Sequence, residues 1–483
     1  MRRIAMALAV LAFGAGAAAD EAVDRLVAAL LGDTPLVSDL RALTDEVGGR
    51  PTGSDANRRA VEWGVTRFRE AGVPATKESF PTEPWIERSA SVRISGDVSF
   101  MPRAVANPFT KATPTGASAP LVDAGFGEPA DFERLGGSAK GAFLLVETHE
   151  LLDIEGLFRE YVAAAAIEKR AREARALGIA WMSSRPHDLL YRHNAALGPK
   201  NDLVLVTLGR EDAGRAARLI RGGKRLELAA RLEVEEGLPR LAENVIGEIR
   251  GREKPDEVVI IGAHLDSWDL GTGTLDNGCN VALVIDVARQ MKRLGRAPRR
   301  TIRFALWNGE EQGLYGSLGY VKKHAAELDK HVMAASFDTG TGRIRGFLTG
   351  GRADLMPVVD GFLRPVAGLG PFTQVNFATP GTDHYDFMME GVPSLMADQE
   401  SATYGPNYHA RSDTFDKADA RQLKLNAAIA GAVTWGFADM DKALPRLSGK
   451  EVEAIVEKTD LKALMQAFDL YDDYMAGRRG RRP

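Results

Sequence analysis

Residues 258–266 read V-V-I-I-G-A-H-L-D, and residues 301–311 read T-I-R-F-A-L-W-N-G-E-E. Each opens on an apolar run, 258–263 and 301–308, with the continuous hydrophobicity of a parallel strand buried on both faces. Between them, 281–294 has helical spacing and stops at Gly295. The three segments predict a β–α–β unit. In open parallel sheets ligands sit just beyond the carboxyl ends of the strands. There the chain places His264, Leu265 and Asp266 after the first run, and Glu310 and Glu311 after the second.

The pattern continues outward. Residues 244–249 read as a strand paired with 258–263 across 250–257, and 332–338, 347–348, 375–377 and 394–397 as further strand-like runs. Helices are predicted over 314–324 and 418–440. Upstream, helices over 20–47 and 55–71 flank the turn-rich G-G-R-P-T-G-S at 48–54. They are too small to bury a core alone, so they are expected to pack on the sheet that begins near Asn244. From about Ser89 the chain changes character, to short strands at 91–94, 142–146, 203–208 and 226–235 and an alanine-rich helix over 161–177. The expected organisation is a domain interrupted by an insertion: 20–88 and 241–445 form the main α/β domain, 89–240 the insertion, and 446–483 a helical tail ending in a solvated basic run at 478–482.

With 483 residues, 45% hydrophobic and 27% charged, the chain has the composition of a globular protein of two or three domains. A formal charge of −4 argues against nucleic acid as the main partner. Arg2 and Arg3 precede an apolar run over 4–13 and then G-A-G-A-A-A, the layout of a secretory signal peptide cleaved after Ala19. Cleavage removes two arginines and no acid, taking the charge to −6. No other segment is long and apolar enough to span a bilayer. Cys279 stands alone, so no internal disulfide or lipid-modified N-terminal cysteine is available. A secreted or periplasmic protein without a membrane anchor is expected.

Of eight histidines, His264 at a strand end and His409 in N-Y-H-A-R-S-D stand where a metal would want them. Asp276 follows in the glycine-rich loop 271–278, Glu310 and Glu311 follow the next strand, and Asp338 ends the strand after that. Two histidines and three carboxylates suit a pair of divalent ions better than one, since a single catalytic zinc usually takes three protein ligands. One of two adjacent glutamates can bind metal while the other moves the proton of a water. His149, His187 and His193 carry no motif, and the loop 183–200 around the last two could meet substrate or a second subunit.

H-L-D-S, L-D-N-G, W-N-G-E-E-Q-G-L-Y-G-S, F-D-T-G and Y-H, in this order, resemble the M28 family of co-catalytic zinc exopeptidases; R-P-T-G-S and the insertion resemble its plasma glutamate carboxypeptidase branch. The resemblance implies a three-layer α/β/α domain with a mostly parallel sheet and an inserted α+β domain like a protease-associated domain. It implies two Zn ions, with Co or Mn as substitutes: one on His264 and Asp338, one on Glu311 and His409, with Asp276 bridging. It makes Glu310 the general base, puts Asp266 behind the His264 ring, and implies a cis peptide after Asp276. Tyr408 matches a position whose hydroxyl stabilises an oxyanion in some relatives, and His384 falls in a loop that lines the substrate pocket. Cys279 and Trp268 read as packing. The implied substrate is a short peptide, cut by an aminopeptidase, carboxypeptidase or dipeptidase, and the branch admits a homodimer.

Other readings explain less. The D-T-G at 338–340 is that of aspartic proteases, but it occurs once and the strand–helix alternation contradicts their fold. No G-K-[ST] follows the loop 271–278, so it is not a phosphate loop. A metal-dependent amidase or deacylase, a glutaminyl cyclase, and a receptor-like protein that has lost its metals remain alternatives on the same fold.

Overall fold

The computed structural model describes residues 21–193 and 202–483. The expected signal peptide over 1–19 lies outside the described residues, and so do residues 194–200 of the loop expected over 183–200. Fourteen strands are described: β1 (Ala75–Thr82), β2 (Ile86–Gly96), β3 (Ala104–Ala106), β4 (Thr113–Asp123), β5 (Phe143–Val146), β6 (Gly178–Met182), β7 (Val204–Leu208), β8 (Leu226–Glu235), β9 (Arg240–Ile249), β10 (Lys254–His264), β11 (Arg300–Trp307), β12 (His331–Ser336), β13 (Ile344–Leu348) and β14 (Ser394–Gln399). They form two seven-stranded sheets.

The first sheet runs β1-β9-β11-β10-β12-β14-β13. β10 lies between β11 and β12, parallel to both, and β12 is parallel to β14. The outer pairs β1/β9, β9/β11 and β13/β14 are antiparallel, so the sheet is mixed, with β9 and β13 running against the other five strands. The expected pairing of 244–249 with 258–263 is corrected: β11 sits between these strands. The connection from β9 to β10 is short, but strand order is set by which apolar faces meet, and β11 fits both neighbours.

Along β10 the side chains alternate between two cores. Val259, Ile261 and Ala263 pack against the helices Asp55–Glu70, Cys279–Arg293 and Ala420–Asp439 and the helical stretch over 21–31. Val258 and Ile260 face Tyr320, Val321 and Phe387, from the helices Tyr315–Lys323 and His384–Met389. Helices on both faces give three layers. Among the described residues, no helix is long and apolar enough to cross a membrane.

The second sheet runs β2-β8-β4-β5-β6-β7-β3. Phe143 and Leu145 of β5 face the helix Arg210–Arg221, while Leu144 and Val146 face the helix Ile154–Glu173. The C-terminal segment is not a solvated tail. Arg479 is 4% exposed, and its guanidinium donates to both oxygens of Asp386 (2.7 and 2.9 Å) and to the Gly313 carbonyl (3.1 Å). A buried carboxylate needs a cation, and the terminal basic run supplies it.

Candidate metal centre

β10 ends on His264, Glu310 and Glu311 follow β11, and Asp338 follows β12, so three adjacent parallel strands deliver these groups to one rim. Parallel pairing sets His264 beside Trp307 and so fixes how far each strand reaches. The loop after His264 brings Asp276 back over the strand ends. Gly273 makes that return possible: its φ is +61°, and a Cβ there would lie 2.4 Å from Ser267. The Asp276–Asn277 peptide is cis.

Two groups result, sharing Asp276: His264, Asp276 and Asp338, and Asp276, Glu311 and His409, all buried. His264 Nε2 lies 3.1 Å from Asp276 Oδ1 and 2.9 Å from Asp338 Oδ1. His409 Nε2 lies 3.2 Å from Asp276 Oδ2 and 2.8 Å from Glu311 Oε2. Each imidazole is turned by a backbone carbonyl on Nδ1, that of Asp266 at 3.0 Å and that of Arg192 at 3.3 Å. This fixes the tautomer whose Nε2 lone pair faces the carboxylates.

Charge makes the same point. Burial pushes the Glu311 carboxyl up to about 7. Burial would hold His409 down, but the charge of Glu311 outweighs it and raises the imidazole to about 9. Asp276 Oδ2 and Glu311 Oε1 are buried with no hydrogen-bond donor. Buried carboxylates without donors call for cations, and a mixed imidazole and carboxylate set suits zinc. The residues present therefore fit a pair of zinc ions.

Glu310 joins neither group, although it lines the same cavity of about 110 Å3. Burial pushes its carboxyl well above the ordinary range, with the charge of His264 opposing. Asp266 holds His264 through its backbone rather than its carboxylate, whose Oδ1 is 3.7 Å from Nδ1. That carboxylate instead accepts from the Thr52 hydroxyl (2.7 Å) and from the Glu310 amide (3.4 Å). Tyr408 lines the cavity, with its ring stacked on His409 at 3.6 Å between centroids. His384 does not reach the cavity. It opens a buried helix, is 1% exposed, and leaves Pro380 and Gly381 at the wall; burial pushes its imidazole down to about 4. Cys279 is buried, and Trp268 packs edge-on against Trp85 at 6.0 Å.

Four contributors were not singled out from sequence. Arg50, fully buried, donates to the carbonyls of Leu265, Thr272 and Gly273, tying together the loops that carry His264 and Asp276. Asp413 accepts from the amides of Leu275 (2.7 Å) and Asp276 (3.2 Å). Tyr161 meets Tyr408 hydroxyl to hydroxyl at 2.7 Å. Arg192 binds His409 through its backbone. The R-P-T-G-S and H-A-R-S-D motifs were the available signals for Arg50 and Asp413; the other two carried none.

The peptidase family M28 profile matches residues 244–434. Bovine (Bos taurus) carboxypeptidase Q is 27% identical over 427 residues, 84% of this chain and 86% of that protein. The crystal structure of a peptidase M28 precursor from Shewanella amazonensis is 28% identical, with a TM-score of 0.80 over 89% of this chain and 98% of that one. A zinc aminopeptidase from Bacillus subtilis, 19% identical, shares the fold with a TM-score of 0.65 over 85% of this chain and 96% of its own. The family profile spans every residue of the two metal-binding groups, and the carboxypeptidase Q and M28 relatives align over most of both chains, so this chain is similar to the zinc metallopeptidases of family M28.

Proposed function

We propose that this chain is an exopeptidase that removes a terminal residue from short peptides, preferring an apolar side chain next to the bond that is cut. One observation carries this reading. The cavity, of about 110 Å3, is lined by Asp276, Glu310, Glu311, Asp338 and His409 together with the apolar Leu157, Phe158, Met396 and Phe468. Such a space suits one residue and its terminus rather than a through-running chain.

In this reading His264, Asp276 and Asp338 would hold one zinc, and Asp276, Glu311 and His409 the other. The zinc pair supplies Lewis acidity toward a water and a peptide carbonyl. Glu310 takes the proton of the attacking water and returns it to the leaving nitrogen. Asp266 fixes the Glu310 turn through its amide, and the Tyr408 hydroxyl donates to the carbonyl oxygen as it gains charge. The apolar leader before Asp20 supports export, and the second sheet supports reading 89–240 as an inserted domain that walls the pocket.

The test is a dipeptide panel, free or blocked at either end, with purified protein after chelation and after zinc return. Zinc-dependent release of free amino acids from apolar dipeptides, lost when one chosen end is blocked, is expected. Two zinc ions bound with cleavage only of N-acyl amides would replace this reading with an amidase.

A further inference from the structure

We propose that Tyr161, supplied by the helix Ile154–Glu173, is a positioning residue for peptide hydrolysis, donating its hydroxyl proton to Tyr408 so that the single Tyr408 proton is free for the substrate oxygen. This rests on the reading of Tyr408 as the oxyanion donor.

The two hydroxyls are 2.7 Å apart, and both tyrosines line the cavity that holds Glu310, Glu311 and Asp338. Each phenol carries one proton. If Tyr408 donated to Tyr161, it would turn a lone pair toward the oxygen that gains charge. With Tyr161 donating, the Tyr408 proton points into the cavity, and the two bonds polarise each other in the direction the reaction needs. No proton changes owner.

Both rings are held. Tyr408 is stacked on His409, and Tyr161 packs on Phe468 at 4.8 Å between centroids. The helix carrying Tyr161 is anchored elsewhere, with Ala164, Ile167 and Ala171 in the core beneath the second sheet and Leu157 and Phe158 at the cavity. The second sheet thus sets the angle of a group at the reacting centre, rather than only covering it.

The experiment uses the zinc-loaded full chain with Tyr161→Phe, Tyr408→Phe and the double variant. Steady-state kinetics on an apolar dipeptide are combined with calorimetric affinity for a phosphinic dipeptide analogue, whose tetrahedral oxygens mimic the charged intermediate. Tyr408→Phe is expected to lower kcat about 100-fold. Tyr161→Phe should lower kcat about 10-fold, the worth of one aligned hydrogen bond, with KM within about two-fold and the phosphinate bound about 10-fold more weakly. The double variant should be no slower than Tyr408→Phe alone, because Tyr161 acts through Tyr408. Losses that multiply in the double variant, a Tyr161→Phe effect on KM alone, or one explained by lost zinc or a lowered Tm would overturn the proposal. Full activity of Tyr408→Phe would sink the reading of Tyr408 itself; a large Tyr408→Phe loss with an unaffected Tyr161→Phe would sink only this inference.

Discussion

Arg192 grips Asp269 through two parallel N–H···O bonds of 2.9 Å each, joining the segment before β7 to the loop after His264. The same guanidinium donates to Glu87 and to the Ala106 carbonyl, and the Arg192 backbone amide donates to the His409 carbonyl at 3.0 Å. Removing this cation leaves carboxylates that are 30% and 15% exposed. Partial exposure moderates the penalty of a broken buried pair. Arg192→Ala is expected to cost roughly 2–3 kcal/mol in urea denaturation and to weaken zinc binding, and Arg192→Lys to fall between, since an ammonium cannot make the paired contact. Unchanged stability in both would show that the junction is held elsewhere.

Arg50 should matter to metal binding without touching a metal-binding side chain. Arg50→Ala leaves the Leu265, Thr272 and Gly273 carbonyls without their buried donor. Zinc affinity, read by chelator competition, is expected to fall about 10–100-fold, as it does when the partners behind metal ligands are lost. Retained affinity would mean that the loops hold their shape unaided.

The adjacent glutamates should separate by assay. Glu310→Gln is expected to lower kcat about 100- to 10,000-fold while two zinc ions stay bound. Glu311→Gln should reduce the zinc content instead. Metal analysis beside kinetics decides, and loss of zinc in Glu310→Gln would reverse the two roles.

Arg479→Ala, or truncation after Gly477, leaves the Asp386 carboxylate buried and uncompensated. A loss of about 3–5 kcal/mol follows, visible as a lowered Tm and earlier proteolysis. A wild-type Tm in the truncated chain would restore the solvated tail.

Acid should destabilise the fold through His331. It is 2% exposed, its Nδ1 donates to the Glu327 carbonyl and its Nε2 accepts from the Tyr320 hydroxyl, and burial pushes its imidazole from 6.5 down to about 4. Between these values the unfolded chain binds the extra proton, so stability rises with pH and is lost as pH falls from 6.5 toward 4. The slope is about 1.4 kcal/mol per pH unit for this group. His331→Gln should flatten denaturation midpoints measured across that window; an unchanged slope would assign the effect to other groups.

Much of this was legible because the central strands announce themselves. β10 and β11 are apolar throughout their buried halves, and ligand-type residues stand at their ends. Strand order was not legible. The short link between β9 and β10 suggests a hairpin, and nothing local reveals that β11 inserts. Arg50 was hidden because its partners are backbone carbonyls more than 200 positions away. Tyr161 sits in an alanine-rich helix that reads as packing alone. His384 misled because its neighbours Pro380 and Gly381, not its own ring, meet the cavity.

The chain gathers its centre from distant points: Arg50, the β10–β12 rim and His409. β1 pairs with β9 only after the whole second sheet has been laid down between them. During synthesis from the N-terminus, the last group to reach the rim is made when almost all the chain exists. The second sheet can form early from its own neighbours and bring β1 and β9 together, easing the entropy of closing that loop. The second metal-binding group therefore cannot be complete until His409 has been made, and a nascent chain stalled before it would hold Asp276 and Glu311 without their third partner.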